Sequence, residues 1–359
     1  MMNMKAVILE APGRISVKEI PYPSLAPDEV LLKVRACGIC GSDVRYTKGD
    51  NPWAKQTLGI VRRFKGKMVL GHEFSGEIVK VGNPSLENRI GERVGTLVYK
   101  GCGTCHYCRM GKHNLCAQTK HLGHSQGWEN LKYNPGGMAE YCQIWAEMAF
   151  PLPENISFED AAMLDCIQVA VHAIEIAQLP ISSKIAIIAL GAIGQFILQV
   201  SQVSSGAEVF CIDVREKPLR VARESGAKLC INSVIANSNS DEAVSVEGSM
   251  DAVFDMVGSQ ETLISGLKLL KRGGKLILLA EEADSFSIPT NLLTGERSII
   301  TSANSTYPNF QESLDLLASG KVHPQKIITH RFPLNEAKKA FEVAANKDKY
   351  EAIKVLIIL

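Results

Sequence analysis

The sequence carries almost no net charge. Its 39 lysines and arginines meet 38 aspartates and glutamates, a formal balance of +1 at pH 7. No global field draws the chain to nucleic acid or to an acidic membrane, so any charge preference has to be local. Long greasy segments are missing as well. The start, Met1-Met2-Asn3-Met4-Lys5, leads into an apolar run that ends at Glu10, too short for a secretory core. The longest apolar stretch, 185–200, is broken by Gly191, Gly194, Gln195 and Gln199, which argues against a membrane span. No internal repeat and no low-complexity tract is visible. With no targeting signal, the expected compartment is the cytosol. In that reducing setting the ten cysteines should be thiols or metal ligands rather than disulfides.

What is present reads as a globular enzyme. Of the 359 residues, 46% are hydrophobic and 21% charged, enough for two domains with full cores. The first 150 residues look β-rich, with strand-like runs at 5–9, 15–20, 29–36 and 74–81 divided by Pro and Gly turns. Near Ser157 the pattern changes. Ser157-x-x-Asp160 resembles a capping box, and an apolar run follows to Leu179, stopped by Pro180. Strands at 184–190, 208–212, 229–231, 252–255 and 275–279 then alternate with helices at 192–204, through Ser225-Gly226, and at 260–270. That is the βαβ organisation of a parallel sheet. The stretch 232–249, rich in Asn and Ser, reads as a loop. Helices at 310–319 and 335–345 and a strand at 353–359 close the chain.

Cys102, Cys105, Cys108 and Cys116 form C-x2-C-x2-C-x7-C. Four thiolates this close can complete a tetrahedral shell around Zn²⁺ with no vacancy, the structural kind of site. Gly101, Gly103 and Gly111 should let the backbone fold back between them. An iron–sulfur cluster is the rival, although nothing else points to electron transfer. Cys40, in Gly38-Ile39-Cys40-Gly41-Ser42-Asp43, and His72 and Glu73, in Gly71-His72-Glu73, have the ligand types of a catalytic zinc, which keeps one position open.

In the second half, Ala189-Leu190-Gly191-Ala192-Ile193-Gly194 follows a strand and opens a helix, with Asp213 about 20 positions on. This is the dinucleotide fingerprint with alanine for its first glycine. Gly191, Ile193 and Gly194 would bring backbone to the pyrophosphate at a helix N-terminus. A carboxylate at Asp213 would hold the ribose hydroxyls and favour NAD over NADP, a preference that Arg215 could soften.

Taken in order, these fragments, together with Gly136-Gly137-Met138-Ala139-Glu140-Tyr141, resemble the zinc-dependent medium-chain alcohol and polyol dehydrogenases over essentially the whole chain. The resemblance implies an α/β fold. A GroES-like β-rich catalytic domain would take 1–157 and 302–359, and a Rossmann doubly wound parallel-sheet domain 158–301, with the active site in the cleft between them. It implies two zinc ions per chain, NAD, a small-molecule alcohol or ketone, and a homodimer or homotetramer. Cys40 and His72 would bind the catalytic zinc, Glu73 would be a ligand or close neighbour, and Ser42 would begin a proton relay. Asp43 would orient His72. The remaining ligand aligns with Cys166 in alcohol-type members and with Asp165 in polyol-type members. His172 fits the polyol pattern, which favours Asp165. Many relatives carry histidine near the end of the relay where this chain has Arg45, which stays protonated and cannot serve as a base.

The implied reaction is oxidation of a secondary alcohol to a ketone by hydride transfer, or the reverse. Between Cys40 and His72 the chain is longer than is typical of relatives. Arg45, Lys48, Lys55, Arg62, Arg63, Lys65 and Lys67 face a single acid there, Asp50. Part of that insertion would favour an anionic substrate, or it is a solvated loop. His121, His124, Trp128 and Glu129 would grip several hydroxyls, or form a surface loop. An inactive zinc- and dinucleotide-binding protein, and a zinc-free quinone reductase, are the rival classes.

Overall fold

The computed structural model describes residues 3–61, 67–124, 127–128, 131–233, 246–280 and 285–359. The chain forms two compact units, one of Met1–Asp165, Thr306–Ala318 and Ile328–Leu359, the other of Cys166–Ser305 and Ser319–Ile327.

The first unit is built on a seven-stranded sheet. At its centre, strand Glu29–Ile39 runs antiparallel to Glu73–Val81 on one side and Lys354–Ile358 on the other. Val30, Leu32, Val34 and Ala36 of the central strand are fully buried. Burial of that face favours this register, since a slip of one residue would bring the half-buried Lys33 and Arg35 onto it. In this register Gly38 lies opposite Glu73. The residue after the central strand, Cys40, thereby comes next to the start of its neighbour. A three-stranded sheet of Arg14–Pro21, Asn3–Ala11 and Met68–Val69 covers a smaller core of Met4, Ala6, Ile8, Ile20, Val69 and Ala139.

The second unit carries a six-stranded parallel sheet in the order Leu229–Asn232, Glu208–Asp213, Lys184–Ile188, Met250–Asp255, Leu270–Leu278, Ser298–Thr301. The chain starts in the middle, winds out to one edge, returns, and winds out to the other. Such a reversal leaves a crevice at the carboxyl ends of the two central strands, where open α/β sheets bind ligands. Helix Ala192–Ser205 follows the first strand directly. A Cβ on Gly194 would stand 2.5 Å from the carbonyl oxygen of Ala189, so this close helix–strand approach needs glycine.

Two local expectations change. The helix expected through Ser225-Gly226 spans Glu216–Glu224, because Gly226 takes φ +90° and terminates it. The run after Ser157 is two helices, Phe158–Ala162 and Leu164–Ala177, with Ser157 Oγ accepting from Asp160 N at 3.0 Å. Most of the expected loop 232–249 lies outside the described residues. Among the described residues, no helix is long and apolar enough to cross a membrane.

Candidate metal centres and nucleotide turn

The four clustered cysteines converge. Their sulfurs lie within 4.8 Å of one another. Backbone N–H groups point at them: Cys105 N to Cys102 Sγ at 3.3 Å, Cys102 N to Cys116 Sγ at 3.4 Å and Cys108 N to Cys105 Sγ at 3.5 Å. Donors aimed at sulfur favour the thiolate, and the N–H groups and hydroxyl of the 102–105 turn lower Cys102 to about 6. Four sulfurs with this support suit a closed tetrahedral zinc shell. Gly103 and Gly111 both take φ +75°, as a tight turn requires. Gly101 serves by its lack of a side chain, since a Cβ there would meet Cys108 Sγ at 2.8 Å.

A second, mixed set forms where the central strands end. One donor atom each from Cys40, His72 and Glu73 lies within 4.8 Å of the others. Asp43 ties the two segments together, accepting from Cys40 N at 2.9 Å and from Gly71 N at 3.2 Å. Its other expected role is weaker, because His72 Nδ1 stands 3.8 Å from Asp43 Oδ1, beyond hydrogen-bond reach. Burial pushes the Asp43 carboxyl up, and His72 with the two backbone donors draws it part of the way back. Burial alone would push His72 down, but its charge interactions with Asp43 and Cys40, a hydrogen bond to Cys40 and the charge of Asp165 outweigh it and raise His72 to about 10. A thiol, an imidazole and a carboxylate whose donor atoms lie within 4.8 Å of one another are the ligand types zinc takes, so the residues fit a zinc ion. Asp165 acts on His72 from outside the close set, and Cys166 is a buried thiol. Ser42 Oγ is buried and, among the described residues, has no hydrogen-bond partner, as a group reserved for a substrate would be.

Glu73 has a partner on its far side. Lys354, from the strand across the sheet, forms an ion pair with Glu73 Oε2, and both side chains are almost fully buried. The pair spans the central strand at Gly38. A Cβ there would stand 2.0 Å from Glu73 Oε2 and 2.9 Å from Lys354 Cε.

Two more histidines complete the surroundings. The His124 ring centre is 4.5 Å from that of His72 and 4.2 Å from that of His121, and both added rings are buried. Trp128 does not grip a ligand with its N–H, which donates to the His121 carbonyl at 2.9 Å. Glu129, Arg62, Arg63 and Lys65 lie outside the described residues. Arg45 Nε is 3.6 Å from Asp50 Oδ2. His172, at 3.4 Å, faces Glu175 on its own helix.

In the second unit, Ala189 sits at φ +70°, the left-handed region that the fingerprint glycine usually fills. Gly191 caps the following helix without a side-chain bond, which leaves its first N–H groups to other acceptors. Buried Asp213 accepts from Leu190 N at 2.7 Å and Arg215 N at 2.8 Å. It therefore braces the turn besides presenting its remaining lone pairs.

Residues 26–154 match the model of the alcohol dehydrogenase GroES-like domain, and residues 192–319 that of the zinc-binding dehydrogenases. An alcohol dehydrogenase of Geobacillus stearothermophilus is 30% identical over 347 residues, 94% of this chain and 95% of its own length. This chain belongs to the zinc-dependent medium-chain dehydrogenases. A sorbitol dehydrogenase of Bacillus subtilis (strain 168) is 28% identical over 360 residues, covering 99% of this chain and 97% of its own. The solved structure of an alcohol dehydrogenase from Escherichia coli CFT073, complexed with NADH, superposes with a TM-score of 0.86 at 27% identity, covering 99% of both chains.

Three residues around this dehydrogenase's mixed site escaped the sequence reading. Tyr46 lies on helix Gly41–Thr47, one turn beyond Ser42 and Asp43 and fully buried with Asp43. The three-to-four spacing, which puts Tyr46 rather than Arg45 on the inner face, was the available signal. Asn51 and Lys354 gave none, because strand register and a loop contact bring them in.

Proposed function

We propose that this dehydrogenase oxidises a secondary alcohol of the polyol, sugar, cyclitol or amino-alcohol type to a ketone with NAD, or runs the reverse. The observation that carries the reading is the convergence of Cys40, His72 and Glu73 near the Ser42 hydroxyl, which has no partner among the described residues. Cys40 and His72 would hold the catalytic zinc. Glu73 is the carboxylate already in place, and Asp165 is the further one whose charge reaches His72. The four-cysteine set would hold a structural zinc. When bound, the catalytic ion supplies Lewis-acid polarisation of the alcohol oxygen, and the dinucleotide supplies the hydride acceptor. Ser42 Oγ would accept a hydrogen bond from the alcohol hydroxyl and begin the proton relay, passing its own proton on as it receives one. Gly191, Ile193 and Gly194 would present backbone N–H groups to the pyrophosphate, and Asp213 its carboxylate to the ribose, with Arg215 beside it.

Elemental analysis and a panel of polyols, amino alcohols and phosphorylated alcohols test this together. The expected result is about two zinc ions per chain, NADH formation on neutral polyols, and a higher kcat/KM with NAD than with NADP. Cys40→Ser should lose one zinc and turnover, and Cys105→Ser the other zinc. Zinc retention in Glu73→Gln, Asp165→Ala and Cys166→Ala separates the carboxylate and thiol assignments. A clear gain on phosphorylated substrates would favour the anionic reading of the basic insertion. Folded protein that binds NAD with only the four-cysteine zinc and no turnover would overturn the proposal.

A further inference from the structure

A hydrogen-bond chain behind His72 fixes which nitrogen of His124 carries its proton. Asn51 caps helix Pro52–Leu58, with Oδ1 accepting from Ala54 N at 3.1 Å. The same oxygen lies 2.9 Å from Tyr46 Oη, and an amide oxygen has no proton to give, so Tyr46 donates. That spends the only proton on the phenol. Toward His124 Nδ1, at 3.0 Å, Tyr46 can then offer only a lone pair. Nδ1 is therefore the protonated nitrogen of His124, and in a neutral imidazole Nε2 is bare. His121 repeats the logic with a simpler partner: its Nδ1 is 2.8 Å from the Leu122 carbonyl, which can only accept. Both rings are almost fully buried, and burial disfavours the charged imidazolium.

The site thus places two imidazoles with bare Nε2 atoms beside a metal-ligand histidine. Among the described residues, their nitrogens do not join His72 in a set of donors within 4.8 Å, so they are not a second metal shell. We infer that His124 and His121 are specificity-determining acceptors for the hydroxyl groups a polyol carries next to the carbon being oxidised. Tyr46 and Asn51 are positioning residues that hold the accepting tautomer. This rests on the dehydrogenase reading and narrows its substrate class to vicinal diols and polyols. A simple secondary alcohol has a single hydroxyl, which the reaction itself uses, and leaves both acceptors without a donor. Sites built to hydrogen-bond a hydroxyl discriminate strongly against analogues that lack it.

Two measurements test the inference. The first is ¹⁵N NMR of the zinc-loaded protein with labelled histidine, signals being assigned by single variants. Nδ1-protonated tautomers are expected for His121 and His124, and Nε2-protonated ones would overturn the inference. The second is the ratio of kcat/KM for 2,3-butanediol to that for 2-butanol. His124→Asn places an amide N–H where Nδ1–H stands and removes the Nε2 acceptor, so the ratio should fall about tenfold or more. Tyr46→Phe should lower the ratio less and mix the His124 tautomers in the spectrum. A ratio unchanged in His124→Asn, with zinc retained, would also sink the idea. If no secondary alcohol is oxidised at all, the dehydrogenase reading fails by itself, and the spectrum still decides where the protons sit.

Discussion

At the scale of single residues, the nucleotide turn shows a local rule overridden. Ala189 adopts φ +70°, where a Cβ crowds the backbone. The cost is about 1 kcal/mol, which the surrounding strand and helix absorb. Ala189→Gly should relieve it and raise unfolding stability, by less than that amount because glycine also loosens the unfolded chain. Denaturant midpoints with unchanged slopes would check this, and a destabilised variant would contradict it. Leu190 N held by Asp213 explains how the turn keeps its shape without glycine. The ligand types were legible at this scale, because Cys40, His72 and the four clustered cysteines are chemically distinctive. Tyr46 was legible only by helical spacing, and Lys354 not at all, since a lysine near a chain end carries no mark of burial.

Between elements, the strand pairing decides what the ligands do. Glu73 and Lys354 come from the two strands that flank Glu29–Ile39, and Gly38 is the window through which they meet. The pair neutralises the Glu73 charge and limits its freedom to approach a metal. Gly38→Ala would push a methyl into the pair, so faster zinc loss to a chelator is expected, with the four-cysteine zinc unaffected. Lys354→Met removes one partner of a buried pair and strands the other charge, a change that typically costs about 3–5 kcal/mol. Adding Glu73→Gln to Lys354→Met should recover much of that loss in thermal unfolding, because no buried charge is then uncompensated. If the double variant is no more stable than Lys354→Met alone, the pairing is not what holds this part of the sheet.

For the molecule as a whole, the buried histidines predict how stability varies with pH. Unfolded, His121 protonates near its ordinary 6.5, whereas folded it resists until about 3. Its contribution is therefore complete above the unfolded value and lost as pH falls below it, and His124 shifts in the same direction. Each can tilt the curve by up to about 1.4 kcal/mol per pH unit. His72 in the metal-free site runs the other way. Its raised value, about 10, adds stability below 6.5 that is lost as pH climbs through 10. Unfolding of the metal-free protein between pH 5 and 7 should show one upward slope too many for surface histidines, and the pair His121→Asn with His124→Asn should flatten it. A flat wild-type profile would mean these rings are not held neutral.

The sequence by itself determined the inventory: a four-sulfur set at zinc spacing, a cysteine and a histidine–glutamate pair, and a βαβ pattern with an acid after its second strand. Those signals are local, and short-range spacing is enough to produce them. Only the tertiary structure decided which donors meet. It joined Glu73 to Cys40 and His72, held Asp165 outside that set, and drew His121 and His124 from an irregular segment into the same surroundings. Convergence of that kind depends on sheet register and buried packing between distant segments, which no stretch of sequence carries alone.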